Sequence, residues 1–416
     1  MITAVCLLDI GWSGVRAAEP PTPTYRLDQV ITLALERNPA LLGAEGVLEQ
    51  SRGQQVAAGA YPDPTVTSQS GRGALREPSG QTITEYAVSV GQPLEWLGKR
   101  AARQRVAEAG FAGASAGLEE TRLNLIAEVK IAFYELLAAQ RQELLARQNL
   151  RTVEQVAQIV KTRVRSGEGP QFEVIKAEVE VLKANQAVTR AENAVRIAQV
   201  GVDTLTAGAL ELPFTIEGDF ESFQKDLNLE ALTRLARRGH PTIRRLAKQV
   251  ERADHNVVFE RESRIPNVTV KGGYWREVGR EAVTAGLNLQ MPVWYQRQGE
   301  IASALGGKRR DEAELLRTRN EIVKGVNQHF QDARTAAKQI EVFDKGLLRQ
   351  AQEALRIAQF SFQQGVSSLL EVLDAQRVFR QTQLEYMQAR WELSVALARL
   401  ERSVGVPFEG VNVPTP

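Results

Sequence analysis

The chain has 416 residues, 43% hydrophobic and 25% charged, with a net charge of +2. That is enough for two or three ordinary domains, excludes wholesale disorder, and offers no bulk electrostatic argument for nucleic acid as a partner. One cysteine (Cys6), three histidines and three methionines exclude an intramolecular disulfide and a thiolate metal cluster, and no apolar run reaches the ~18 to 20 residues of a membrane-spanning helix.

In chain order, Ile2 to Trp12 is mostly apolar and Val15-Arg16-Ala17 offers a small-x-small cleavage site. Residues 1–18 are therefore expected to be an export signal. The basic start of such a signal is missing and Asp9 interrupts the apolar run, so a misplaced start or an ordinary terminus are the alternatives. Thr3-Ala4-Val5 is a poor lipobox before Cys6, which argues against a lipid anchor.

Proline is absent from residues 94–169, 171–212 and 293–406. Long helices explain such runs, because proline breaks a helix interior. The chain is also written twice. Leu27 through Pro39 matches Leu229 through Pro241, Pro64-Thr65-Val66 matches Pro266-Asn267-Val268, and Arg165-Ser166-Gly167 matches Gln363-Gln364-Gly365. A period near 200 residues is a duplicated domain. The reading is a first repeat over 19–212, a second over 213–406, and a tail over 407–416.

Each repeat opens with a shorter helix, about 27–60 and 229–263. Strands follow at about 64–71 and 85–94, then 266–275 and 282–291. Val283 to Met291 alternates strictly between apolar and polar or glycine, as a strand with one greasy and one wet face does. Long helices come next. Val174, Val181, Val188, Val195 and Val202 are seven apart, with Ala177, Ala184, Ala191, Ala198 and Leu205 three residues on. The second repeat carries Val372, Phe379, Tyr386, Leu393 and Leu400, 198 residues later. Steps of three and four over five heptads make a coiled-coil seam. A soluble coiled-coil rod would satisfy the helices alone.

Aromatics gather at the strand ends: Tyr86, Trp96, Tyr274, Trp275, Trp294 and Tyr295, with Tyr61 nearby. Membrane interfaces select such residues, although a soluble sheet can also be capped by them. Four strands cannot close a barrel, and open edges are not tolerated in lipid. Strands that span a membrane would have to be shared among chains. Two chains would fill their barrel with side chains, so a pore favours three.

Helix, hairpin and two long helices, all duplicated, with Leu370-Glu371-Val372-Leu373-Asp374-Ala375 after the second turn, resemble the TolC family of outer-membrane channels. The resemblance covers residues 25–406. It implies a mainly α fold with membrane β: a homotrimer whose twelve-stranded β-barrel continues into a long periplasmic α-helical barrel. Gln92-Pro93-Leu94-Glu95-Trp96-Leu97-Gly98-Lys99-Arg100 resembles the cation-efflux branch, in which the inner pump is a heavy-metal transporter of the resistance-nodulation-division type. The implied partners are that inner-membrane pump, a periplasmic adaptor (membrane fusion) protein and outer-membrane lipid. Ducts for drugs or for type I secretion belong to the same family, and a non-pore periplasmic scaffold or adaptor is the reading from another class.

No enzyme is expected, nor any cofactor or metal-ligand set. Gly306-Gly307-Lys308-Arg309 lacks the upstream glycine and the hydroxyl of a phosphate loop, and Gly71-Arg72-Gly73 lacks the third glycine of a dinucleotide turn. His240, before Pro241, reads as a helix-start residue. Gly167 and Gly365 supply the backbone freedom of tight turns between long helices. The resemblance places adaptor docking there, on Arg165, Ser166, Gly167, Gly365, Val366 and Ser367. It also puts Glu371 and Asp374, three apart on one helix face, at the narrowest part of the tunnel. Phe362 and Ser367 depart from the family's gate tyrosine and arginine, so apolar packing is expected to replace polar links at the tip. The two acids also suit a helix start, where they complement the dipole.

Overall fold

The computed structural model describes residues 23–74, 82–223, 227–277 and 279–406. The expected export segment 1–18, Cys6 and the tail 407–416 lie outside them. The fold is mostly helical. No helix among the described residues is long and apolar enough to cross a membrane.

The first repeat begins with strand β1 (Thr24–Tyr25), α1 (Leu27–Arg37) and α2 (Pro39–Ala58). A hairpin follows, β2 (Thr65–Ala74) with β3 (Thr82–Leu94), then α3 (Leu97–Arg165) and α4 (Gln171–Leu205). A short strand β4 (Thr215–Ile216) pairs in parallel with β1 and leads into the second repeat. There α5 (Leu229–Gly239) and α6 (Pro241–Glu262) precede β5 (Val268–Glu277) and β6 (Arg280–Leu289). The last helices are α7 (Gln298–Val342), α8 (Leu348–Gln363) and α9 (Leu369–Val404), with a π-helical stretch Phe343–Leu347 between α7 and α8. At ~1.5 Å per residue the 69 residues of α3 extend about 100 Å.

Each expected opening helix is two helices. The break falls at Asn38-Pro39 and at His240-Pro241, where proline takes the first helical position and the preceding residue caps it. Asn38 Oδ1 accepts from the Ala40 amide at 2.9 Å, while its Nδ2 donates to the Leu205 carbonyl at 2.8 Å. His240 repeats both bonds. Its Nδ1 accepts from the Thr242 amide at 3.2 Å, and Nε2 meets the Arg402 carbonyl at 3.0 Å. Leu205 and Arg402 stand in the last turn of the last long helix of their repeats, where carbonyls lack intrahelical partners. One side chain thus caps one helix start and closes one helix end in each half. Burial lowers the pKa of His240, against small upward contributions from the Arg402 carbonyl and Glu120, with Arg244 and Arg402 adding to the fall. The neutral ring with hydrogen on Nε2 satisfies both contacts.

The core is likewise doubled. Val30 and Ala34 of α1 are fully buried with Phe133, Leu136 and Phe214, and Leu232 and Ala236 of α5 with Val326, Leu400 and Val404. The heptad rows do the same work. Ala177 and Ala184 are buried near the start of α4, and Val188, Val195 and Val202 toward its end. A buried ion pair, Lys130 Nζ to Glu401 Oε2 at 2.6 Å, joins α3 to α9 and so ties the repeats together.

Candidate functional site: a two-faced sheet and a helical tip

The four long strands form one antiparallel sheet in the order β2-β3-β5-β6. The alternating Val283 segment lies in β6. The register aligns Val66 with Val90, Val88 with Tyr274 and Val283, and Leu94 with Val268 and Leu289. These side chains share one face, because alternate residues of a strand point the same way. It is mostly apolar across β3, β5 and β6, with Ser68 and Ser70 of β2 beside Val88 and Tyr86, and it is open: Val283 is 84% exposed and Leu287 75%. The other face carries Gln69, Ser89, Lys271, Thr284 and Asn288. Among the described residues, both outer strands, β2 and β6, have a free edge.

The aromatics lie at both ends of this sheet. Tyr86 and Tyr274 are on the apolar face near the hairpin tips, with ring centroids 6.0 Å apart, and Tyr274 donates to Glu281 Oε2 at 2.7 Å. Trp275 is the next residue along β5, so it falls on the polar face with Lys271. At the helical end, Trp96 donates to Glu262 Oε2 at 2.9 Å, Trp294 is 96% exposed, and Tyr295 donates to Glu300 Oε2 at 2.7 Å. From Tyr86 to Trp96 is ten residues, about 33 Å of extended chain, or ~25 Å once tilted by ~40°.

At the opposite end of the molecule the long helices turn twice, over Ser166–Pro170 and Gln364–Ser368. Both turns are closed by the same pair of bonds. The Gly167 amide donates to the Val164 carbonyl at 3.1 Å and the Glu168 amide to Arg163 at 2.9 Å. The Gly365 amide donates to Phe362 at 3.1 Å and the Val366 amide to Ser361 at 2.9 Å. This geometry requires a left-handed residue, and Gly167 and Gly365 supply it at φ 80° and 73°. Arg165, Ser166 and Val366 are exposed around the turns, Val366 at 81%, and Ser367 donates to the Ala358 carbonyl at 3.3 Å.

Phe362 is buried in an apolar cluster of Val156, Val160, Ala177, Leu369 and Val372, drawn from α3, α4 and α9. Arg163 lies over its ring, with Cζ 4.9 Å from the centroid, and donates to its carbonyl at 3.4 Å. That bridge between the two helical hairpins is absent from the sequence reading. Only a basic residue in the last turn of α3 pointed to Arg163.

Glu371 and Asp374 are both exposed on α9. Glu371 completes a capping box: its Oε2 accepts from the Ser368 amide at 3.1 Å, and Ser368 Oγ accepts from the Glu371 amide at 3.4 Å. Asp374 pairs with Arg377 at 2.6 Å. Among the described residues no three His, Cys, Asp or Glu side chains come together in a way that could hold a metal ion.

A family model described as outer membrane efflux protein matches residues 30–208 and 232–406, once in each half. The cobalt-zinc-cadmium resistance protein CzcC of Cupriavidus metallidurans is 24% identical over 409 residues, covering 97% of this chain and 95% of that protein. The pyoverdine export outer membrane protein OpmQ of Pseudomonas aeruginosa is 25% identical, covering 91% of this chain and 84% of its own length. A solved structure of CusC, described in terms of folding and transmembrane channel formation, superposes with a TM-score of 0.80 at 16% identity over 92% of this chain and 93% of that one. That likeness establishes the fold.

Proposed function

The chain belongs to the outer membrane efflux protein family, and from that premise we propose that it is the exit duct of a tripartite resistance-nodulation-division system, passing divalent heavy-metal cations out of the periplasm. The observation that carries the reading is the sheet: one apolar face, one polar face and two free edges. Such a sheet is stable in lipid only when its edges are paired and its polar face lines water. Three copies make twelve strands, with the polar face inward and Trp275 among the residues lining it. Tyr86, Tyr274, Trp96, Trp294 and Tyr295 then bracket a band whose ~25 Å height matches the apolar belt of outer-membrane barrels. The helices continue the duct into the periplasm.

At the far end, the turns with Arg165, Ser166, Gly167, Gly365, Val366 and Ser367 receive the periplasmic adaptor, which links the duct to the inner-membrane pump. Glu371 and Asp374 ring the constriction, while Phe362, expected there too, is buried in the core behind it and holds the tip helices together instead. Adaptor binding splays the tip helices, and ions expelled by the pump diffuse through. The protein performs no chemistry, and weak passage is what a duct requires. The similarity to CzcC supports heavy metals as cargo. The similarity to OpmQ supports a second reading, a duct for organic molecules. Exchanging inner-membrane partners and scoring resistance to metals against organic toxins separates the two.

The first test is single-channel conductance of the detergent-purified protein in a planar bilayer, with mass determination alongside. Stable trimers giving discrete steps are expected. A water-soluble protein that never inserts would end this reading and leave a coiled-coil scaffold.

A further inference from the structure

Near the tip, α9 carries acids and then bases in steps of three, winding half-way round the helix: Glu371, Asp374, Arg377, Arg380. Residues three apart are neighbours on a helix surface. The two acids are engaged differently. Glu371 is turned back onto the helix start by the capping box. Asp374 Oδ1 accepts from Arg377 Nη2 at 2.6 Å, and their side chains are 57% and 70% exposed. The groove beside them is lined from α4 by Lys176, and by Lys183 paired with Glu180 at 2.9 Å. So exposed a pair as Asp374–Arg377 adds little to folding. Its effect is on the local charge.

We propose that Arg377 sets the charge, and with it the ion selectivity, of the tunnel constriction. By neutralising Asp374 it leaves Glu371 as the acid of α9 that still attracts cations at the tip. The inference rests on the duct reading above. In a trimer, three Arg377 guanidinium groups then offset half of the charge of the six carboxylates of Glu371 and Asp374. A guanidinium beside each Asp374 also opposes tight capture of a divalent ion between the acids, so passing ions meet an attractive but shallow site.

The test is the K⁺/Cl⁻ permeability ratio, read as reversal potential across a KCl gradient for the purified trimer in a planar bilayer. Three additional uncompensated charges, taken to act from one Debye length (about 10 Å at ~0.1 M salt), raise that ratio about fivefold in Arg377→Gln. Asp374→Asn lowers it by a similar factor, because Arg377 is then unopposed. Arg377→Lys keeps the wild-type ratio, and the double variant Asp374→Asn/Arg377→Gln moves back toward it. A merely structural role would not give opposite shifts that cancel. A wild-type ratio in Arg377→Gln overturns the proposal. Should that variant fail to assemble, a wild-type ratio in Asp374→Asn overturns it instead. Conduction that ignores both Glu371→Gln and Asp374→Asn removes the acid constriction while leaving the duct. The absence of discrete current from every variant and from the wild type removes the duct reading, and this proposal with it.

Discussion

Replacing His240 tests the doubled joint directly, because the first repeat already contains the alternative residue. His240→Ala removes the acceptor for the Thr242 amide, worth ~1 kcal/mol as a helix cap, and leaves the Arg402 carbonyl without its bond, at ~1–3 kcal/mol if it stays dry. The expected loss is therefore about 2–4 kcal/mol. His240→Asn keeps the cap, as Asn38 does, and loses at most ~1 kcal/mol through its shorter reach toward Arg402. Acid separates the two side chains further. Burial lowers the folded-state pKa of His240 below its ordinary value of 6.5. As pH falls below 6.5 the unfolded ring takes up a proton while the folded ring stays neutral. Stability is thus full above that pH and declines below it, by up to ~1.4 kcal/mol per pH unit until the folded pKa is reached. His329 is also lowered by burial, so the difference between wild type and His240→Asn isolates His240. Thermal unfolding of the purified protein, followed by far-UV circular dichroism at one scan rate from neutral to mildly acidic pH, reads all three. Equal losses in the Ala and Asn variants, or parallel pH profiles for wild type and His240→Asn, would refute the reasoning.

Three further substitutions probe the core and the tip. Lys130→Met removes the cation buried against Glu401 and should cost up to ~3–5 kcal/mol, with part of it recovered in Lys130→Met/Glu401→Leu; the unfolding midpoints of the two variants check this. Phe362→Ala should cost ~3–5 kcal/mol by opening the tip core. Arg163→Gln should cost ~1 kcal/mol through the lost ring contact. Amide hydrogen exchange at Gly365 and Val366 should quicken in both, more in the first, and unchanged exchange would mean the tip does not depend on this cluster.

The helical part of the fold was legible because a missing residue type leaves a long trace. Proline-free stretches and a seven-residue step announce α3, α4, α7 and α9, and Val283 to Met291 announces β6 by its period of two. The break at Asn38-Pro39 is written in the sequence but is hidden there by a continuing pattern. Proline starts a helix as readily as it stops one, and the apolar periodicity runs on through the joint. The π-helical stretch around Gly346 gave no warning, since isolated glycines occur in ordinary helices. Strands β1 and β4 hold two residues each, too few for any pattern. At the tip, Gly167 and Gly365 could be found from their neighbours in the chain. The contact of Arg163 with Phe362 could not, because 199 residues separate them and only the packing of one repeat on the other brings them together. The pairing of Asp374 with Arg377 fits helical spacing, but which partner an exposed acid takes depends on side-chain conformation.

The free edges of the sheet have a genetic consequence. In the proposed trimer every β2 must find the β6 of another chain, so no chain completes its own wall. A cell producing normal and defective copies in equal amounts, mixed at random, would assemble only about one in eight ducts from normal chains alone. Alleles that damage β2 or β6 while sparing assembly should therefore be dominant, whereas those that abolish synthesis should be recessive.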